Sequence, residues 1–337
     1  MKRLTTFRAF TFTVVFLASS TLFCMLILHF KGLEEDVIRR KSVIQPMNVE
    51  TNKCTITAAD LDNFMSKYRI IHELRANHTM QMCKKYEADI PKMTHLPHLL
   101  VDEKYKLVYC QIPKAASTTW SRVFLYLKGY VDYPHALALS RRSVNTAWKS
   151  KIPQLHKYSP EKQKEILETY TKFMFVRHPF SRLLSAFNDK LKASKNKTTA
   201  MQNQVGKRII HKFRLKSNIS ETYDIRFEEF FEFVISEMRA TDNAHWRAAH
   251  RLCFPCEIHY DIIGKLEDVD NDAKYILKKS GAGHVHFPGT SGSYFTNSSH
   301  LDKLRKHLSR VSPPHIAAFY NKYRFDFTLF DYEIPTI

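Results

Sequence analysis

The sequence feature that most restricts the fold is a sheet-favouring segment that stops abruptly where a helix begins. Residues 106–112 are rich in apolar and aromatic side chains and predict a strand. Pro113 and Lys114 interrupt this run, and Ser117 or Thr118 can cap a helix that follows. After the break, apolar residues recur at the spacing of one buried helix face: Trp120, Val123, Phe124 and Leu127.

A second segment of the same kind lies further along the chain. Residues 172–176 predict a buried strand, residues 177–179 a turn, and Pro179 suits the first turn of a helix. Leu183, Leu184 and Phe187 form the apolar stripe of that helix. Strands that alternate with helices are typical of parallel sheets. The sequence therefore predicts an α/β fold with a central, mainly parallel sheet flanked by helices.

Weaker patterns predict further elements around these two units. Residues 261–264 predict a short strand, and residues 268–277 predict a helix with acidic residues at its start. A short helix is also predicted at residues 58–76. One more core-facing helix is predicted from apolar residues at helical spacing: Phe227, Phe230, Phe231, Val234 and Ile235.

The N-terminus predicts a membrane anchor. Residues 9–30 contain no Asp, Glu, Lys or Arg, and a helix of this length covers a hydrocarbon core of about 30 Å. Lys2, Arg3 and Arg8 precede it, which places the tail in the cytosol and the rest of the chain in the lumen. A cleaved signal peptide is the alternative, but no small-x-small cleavage site follows the apolar run. We therefore expect a cytoplasmic tail (1–8), a signal-anchor (9–30), a luminal stem (31–98) and a catalytic domain (99–337).

Other sequence marks agree with a luminal, glycosylated body. Glycosylation sequons begin at Asn77, Asn196, Asn218 and Asn297. Five cysteines follow Cys24 of the anchor, which permits two disulfides and one free thiol or a linked homodimer. Cys253 and Cys256 could also be half of a zinc site or a redox pair. No second cysteine pair or spaced histidine pair completes a zinc site, so disulfide use is favoured and no metal site is predicted.

The basic character of the chain indicates an acidic partner. The formal net charge is +19, which suits nucleic acid, an acidic membrane surface or an acidic polysaccharide, unless it serves solubility alone. A luminal body argues against nucleic acid. An acidic glycan or proteoglycan is therefore the expected partner.

The break after the first predicted strand has the features of an anion site. Residues 113–119 follow a strand's carboxyl end and open a helix, so main-chain N–H groups, hydroxyls and Lys114 gather around one point. The glycines of a nucleoside-triphosphate P-loop are missing, which excludes an ATPase of that kind. A serine-rich helix cap with a surface lysine is the plainer alternative.

Four segments carry a resemblance to a known family. Residues 113–120 resemble the 5′-phosphosulfate loop of Golgi carbohydrate sulfotransferases, the family that includes chondroitin 4-O- and HNK-1 sulfotransferases. Arg177 and Ser185 resemble its 3′-phosphate element, in which Arg and Ser are eight residues apart. A third segment, residues 245–246 with 251–261, and a fourth, residues 323–332, also resemble the family, and the four segments occur in the family's order. Ser117 and Thr119 depart from it, because cysteine and asparagine are usual there, and this leaves the pairing of Cys110 open.

The resemblance implies a P-loop-like sulfotransferase fold, PAPS (3′-phosphoadenylyl sulfate) as the donor, and no metal. Lys114 would be catalytic, neutralising charge on the bridging oxygen. The implied 5′ contacts are Pro113, Lys114, Ala115, Ala116, Ser117, Thr118 and Thr119. The implied 3′-phosphate segment is Arg177, His178, Pro179, Phe180, Ser181, Arg182, Leu183, Leu184 and Ser185.

A sugar hydroxyl also needs a general base, and His245 is the leading candidate. His135, His250 and Glu257 are the alternatives. We thus expect a single-pass type II Golgi enzyme that sulfates a glycan, with position 4 of N-acetylgalactosamine in chondroitin as the acceptor. Dermatan, HNK-1-type glucuronic acid and N-glycan N-acetylgalactosamine are alternative acceptors, and an inactive glycan-binding membrane protein is an alternative of another class.

Overall fold

Four short strands form the central sheet of the protein. The computed structural model describes residues 57–193, 199–215, 218–219, 223–238, 243–288 and 301–335. The strands are β1 (Leu99–Asp102), β2 (Leu107–Cys110), β3 (Thr171–Val176) and β4 (Ile262–Lys265), and they lie in that order. β2, β3 and β4 are parallel, whereas β1 is antiparallel to β2. The α/β class is confirmed, and the sheet is mixed because of its edge strand β1.

The strands form where the sequence places apolar residues on both faces. All four residues of β1 and of β2 are buried, as are five of the six in β3. Strands covered on both faces read as continuous apolar runs rather than alternating ones. Close packing also restricts Gly264 in β4, since a Cβ atom there would lie 2.5 Å from the ring of Phe175.

Helices surround the sheet. In chain order they are α1 (Ala58–Lys85), α2 (Ser117–Leu127), α3 (Tyr133–Ala138), α4 (Arg141–Lys151), α5 (Pro160–Thr169), α6 (Pro179–Lys190), α7 (Lys207–Phe213), α8 (Phe227–Ser236), α9 (His250–Cys253), α10 (Pro255–Ile258), α11 (Val269–Lys279), α12 (Leu301–Leu308) and α13 (Pro313–Leu329). The predicted helices at 227–235 and 268–277 correspond to α8 and α11. A second apolar core, formed mainly by α6, α8 and α13, adjoins the core around the sheet.

One edge of the sheet gathers the segments that matter for function. The carboxyl ends of β2, β3 and β4 lie at this edge because the three strands are parallel. The amino end of β1 lies there too, since Leu99 pairs with Cys110 at the end of β2. The turns that follow β2, β3 and β4 therefore lie close to the residue that precedes β1. In open α/β sheets, ligands bind at the carboxyl ends of the strands.

Helix α1 extends beyond the predicted residues 58–76 and packs against β4, α11 and α13. The Thr79 hydroxyl donates to the main-chain oxygen of Leu329 at 2.8 Å. A disulfide joins Cys83 at the end of α1 to Cys256 in α10. Residues 58–98, assigned from sequence to the stem, thus belong to the compact unit that begins at Ala58.

The second disulfide, Cys110–Cys253, links the end of β2 to α9. Two bridges were expected, and the partner of Cys110 is now assigned. Cys253 and Cys256 bond to different partners, which excludes a redox pair between them. Cys54 lies outside the described residues.

Several sequence predictions fall partly or wholly outside the described residues. The anchor at 9–30 and the sequons at Asn196 and Asn297 are among them. Asn77 and Asn218 are described and exposed. Within the described ranges, no helix has both the length and the apolar character needed to span a bilayer.

Candidate active site

A cavity of about 850 Å³ opens at the edge where the strand ends gather. Its size is within the usual range for small-molecule sites. It is lined by the turn after β2, the start of α2, residues of α4 and α6, and the segment around His245. Lys114 and Arg177, which come from the two predicted anion elements, both line it.

The turn after β2 holds two residues in an uncommon backbone conformation. Lys114 and Ala116 have φ values of 72° and 60°, in the left-handed region that non-glycine residues rarely adopt. Such strained residues cluster at functional sites. Ala116 is the N-cap of α2, so the predicted caps Ser117 and Thr118 are wrong; neither supplies a capping side chain.

Polar groups at the start of α2 face the cavity. Ser117, Thr118 and Thr119 all line it, and the first turn of the helix contains no acidic residue. The N-terminal end of a helix carries partial positive charge and N–H groups without intrahelical partners. The arrangement suits a phosphate or sulfate group.

The Lys114 ammonium group lies in a partly buried charge cluster. Its Nζ donates to Asp189 Oδ2 at 3.0 Å, and Asp189 also pairs with Arg141 and, at 3.3 Å, with Lys190. Burial lowers the pKa of Lys114 to about 8, although Asp189 opposes the shift. The pKa of Asp189 lies below its usual range, because Lys114 and Lys190 outweigh the effect of burial. One carboxylate thus faces three cations, leaving a positive surplus at the cavity wall.

Arg177 follows β3 and is only 6% exposed. One of its Nη atoms donates to the main-chain oxygen of Lys114 at 3.3 Å, so the two turns are in direct contact. Burial lowers the pKa of Arg177 to about 10, which leaves the guanidinium charged at neutral pH. Ser185, eight residues further along α6, is buried and lines the same cavity.

The residues between Arg177 and Ser185 lie away from the cavity wall. Phe180, Leu183 and Leu184 pack in the second apolar core. His178 contacts the main-chain oxygen of Glu333 at 2.9 Å. Pro179 and Ser181 are buried in α6, and Ala115 is buried in the turn between β2 and α2. Of residues 177–185, the two end residues Arg177 and Ser185 therefore line the cavity.

Arg182 has a clear structural role. It is 3% exposed and donates to three main-chain oxygens: Pro113 at 3.0 Å, Arg247 at 2.6 Å and Ala244 at 3.2 Å. It therefore holds the Lys114 turn against the segment that contains His245.

All four candidate bases lie in the described part of the chain. Of these, His245 lines the cavity, whereas His135, His250 and Glu257 do not. Burial lowers its pKa to about 3, and Lys190 and Lys114 add to the shift. Its Nδ1 is buried without a hydrogen-bond partner among the described residues. The imidazole is consequently neutral at neutral pH and can accept a proton.

The alternative bases lie elsewhere. His135 is exposed and pairs with Asp132, whereas buried His250 contacts Asp326 Oδ1 at 2.7 Å. Glu257 accepts the main-chain N–H of Met93. Trp246 is buried and donates to Glu237, as expected of a core tryptophan.

Sequence reasoning missed the cavity residues Asp189, Lys190 and Arg141. For Asp189 a signal existed, because it follows Ser185 by four residues and so lies on the same helix face. For Arg141 there was none, since α4 is brought to the cavity by tertiary packing against α2.

The comparisons with known proteins agree with this geometry. A family model described as "Sulfotransferase family" matches residues 97–333. The chain is 30% identical over 284 residues to carbohydrate sulfotransferase 11 of Rattus norvegicus, covering 80% of this chain and 78% of that protein. It is 32% identical over 291 residues to carbohydrate sulfotransferase 14 of Danio rerio, covering 83% and 75%. No solved structure is significantly similar to the chain.

Proposed function

Because the chain belongs to the sulfotransferase family, we propose that it transfers a sulfuryl group from PAPS to a sugar hydroxyl of a glycan. The observation that supports this most is the meeting of Lys114 and Arg177 at one cavity. PAPS carries a phosphosulfate at one end and a 3′-phosphate at the other, so it needs two separate anion contacts. The two turns supply one each.

Lys114 is the residue we expect to act on the departing group. Sulfuryl transfer, like phosphoryl transfer, depends on in-line placement and on stabilising the leaving oxygen. The ammonium group of Lys114 would leave Asp189 for the bridging oxygen, while Ser117, Thr118 and Thr119 hold the 5′ end. Arg177 and Ser185 would bind the 3′-phosphate, for which the fork of the guanidinium is well shaped.

His245 is the proposed base, and its environment couples it to the donor. Lys114 and Lys190 hold down its pKa together with burial. The negative charges of PAPS would neutralise these same cations, so donor binding should raise the basicity of the imidazole. His245 would then accept the proton of the sugar hydroxyl when the donor is in place.

We also propose a particular acceptor glycan and a cellular location. The relatives are named carbohydrate sulfotransferases, and we propose position 4 of N-acetylgalactosamine in chondroitin, on the motif resemblance and the charge of +19. We also propose a type II Golgi membrane protein, supported by the uncharged segment 9–30 and the sequons. Incubation with radiolabelled PAPS and desulfated glycans, followed by linkage mapping, tests the acceptor. An inactive glycan-binding protein would bind chondroitin without binding PAP, the desulfated product of PAPS.

Replacing Arg177 with alanine tests the donor assignment. We expect Arg177→Ala to weaken binding of PAP about 100-fold, because a charge-assisted contact to the 3′-phosphate is lost. Binding of 5′-AMP, which lacks that phosphate, should change less than about threefold. Titration calorimetry with both nucleotides measures the difference, and Arg142→Ala on exposed α4 surface is the control. An equal loss for both nucleotides would show that Arg177 does not face the 3′-phosphate.

A further inference from the structure

We infer that one face of α4 is the subsite for the acceptor, and that it binds a glycan whose hexuronate carboxylate lies near the target hydroxyl. The inference rests on the proposed function and deepens it. The sequence motifs assign residues to the donor but none to an acidic glycan, and this face of α4 would supply them.

The order of the strands divides the cavity into two sides. Lys114 follows β2 and lies in the middle, and Arg177 follows β3, next to β4. The wall beyond Arg177, formed by the residues that follow β4, is apolar, with Leu266 and Val269. That wall suits the flat base of the donor. The nucleotide therefore extends from Lys114 towards β4, and the side towards β1 is left for the acceptor.

The side towards β1 is basic and aromatic. His98 immediately precedes β1, and its main-chain oxygen accepts the N–H of Gln111 at 3.3 Å. Four residues of α4 also line the cavity: Arg141, Asn145, Trp148 and Lys149. Their spacing places them on one face of the helix. Other exposed residues of α4 do not line the cavity, including Arg142 and Thr146.

This wall is fixed by the fold. α4 packs against α2. Val144, which lies between Arg141 and Asn145 in the sequence of α4, is fully buried. Arg122 of α2 donates to the main-chain oxygen of Leu139 at 2.8 Å, just before α4 begins. The N-cap Ser140 accepts the main-chain N–H of Ser143. A preorganised wall loses little freedom when a ligand binds.

The chemistry of the wall matches an acidic sugar. Trp148 is half-buried, and its ring, whose centroid is 5.9 Å from the Lys149 ammonium group, can also stack on a sugar face. Lys149 is exposed and forms no salt bridge with any residue that the structure describes. Its charge is close enough to His98 to help lower the pKa of that imidazole, after burial and His156. Arg141 pairs with Asp189, which joins this side to the Lys114 cluster. A carboxylate would supply the counter-charge that Lys149 lacks.

Charge reversal of Lys149, compared on two acceptors, tests the proposal in the full-length chain. The acceptors are desulfated chondroitin and the same polymer with its hexuronate carboxyls reduced to alcohols. We expect Lys149→Glu to lower kcat/KM about tenfold on chondroitin and less than about twofold on the reduced polymer. Arg142→Glu makes the same charge change at an exposed α4 residue that does not line the cavity, two helical turns away, and should leave both values within about twofold of wild type. KM for PAPS should stay unchanged in both variants.

Trp148→Ala provides a readout that does not depend on charge. Stacking acts on both polymers alike, so we expect kcat/KM to fall about tenfold on each. The subsite would be overturned if Lys149→Glu lowered kcat/KM equally on the two polymers, or if Arg142→Glu lowered kcat/KM as much as Lys149→Glu does. In both cases the wild-type chain would still transfer sulfate. Failure of the wild-type chain to bind PAP or to sulfate either polymer would instead overturn the proposed function, and the subsite with it.

Discussion

Replacement of Lys114 with alanine is expected to lower kcat for sulfuryl transfer by about 1,000-fold, the loss typical of removing one preorganised group that stabilises transition-state charge. The Lys114 side chain is only 11% exposed, so in its proposed role little water would replace the lost charge at the bridging oxygen. Single-turnover transfer from radiolabelled PAPS measures the effect. Lys128→Ala, at the other end of α2 and exposed, is the matched control.

The lowered pKa gives this experiment a second readout. Lys114 must be protonated to hold the donor, and burial brings its pKa to about 8. In the wild type, kcat/KM for PAPS should therefore fall as pH rises through about 8, because the free enzyme loses the charge there. Lys114→Ala should retain no such alkaline decline. Near-normal turnover in this variant, with the fold intact, would rule out the assigned role of Lys114.

Replacement of Arg182 with leucine is expected to destabilise the fold by about 3–5 kcal/mol, because it removes a buried guanidinium and leaves three part-buried main-chain oxygens without their donor. These oxygens belong to Pro113, Ala244 and Arg247, so the change also frees the Lys114 turn from the His245 segment. Urea unfolding of the variant and the wild type measures the free energy.

Two comparisons separate this structural role from donor binding. Arg142→Leu, an exposed arginine, should change the free energy of unfolding by less than about 0.5 kcal/mol. Arg182→Leu protein that refolds at low temperature should bind PAP weakly, because the turn is no longer held. Wild-type stability together with loss of PAP binding would mean that Arg182 contacts the donor directly.

The strands and turns were predictable because their signals are local. Residues 106–112 and 172–176 are apolar runs that end at Pro113 and Arg177, and parallel pairing brings both ends to one edge. β1 was missed because four residues carry too little pattern to distinguish a strand. The cap of α2 was wrong because the left-handed turn at Ala116 replaces the usual capping side chain.

What the sequence could not supply depends on long-range packing. Four cysteines allow three pairings, and only the fold selects Cys83–Cys256 and Cys110–Cys253. α1 resembles a stem segment locally because its apolar residues are scattered around the helix and form no single stripe. Its buried contacts include His72 and Arg75 against Asp272, a residue almost 200 positions away. Arg141 likewise reaches the cavity only through the packing of α4 on α2.

The two crosslinks also constrain the order in which the protein can mature. Cys83 and Cys110 leave the ribosome well before Cys253 and Cys256, since the linked positions are 173 and 143 residues apart. For much of synthesis, the early thiols have only each other, Cys24 and Cys54 as partners from the same chain. A bond formed between them must later be exchanged. The yield of active protein should therefore depend on thiol–disulfide exchange catalysts more than its small number of cysteines suggests.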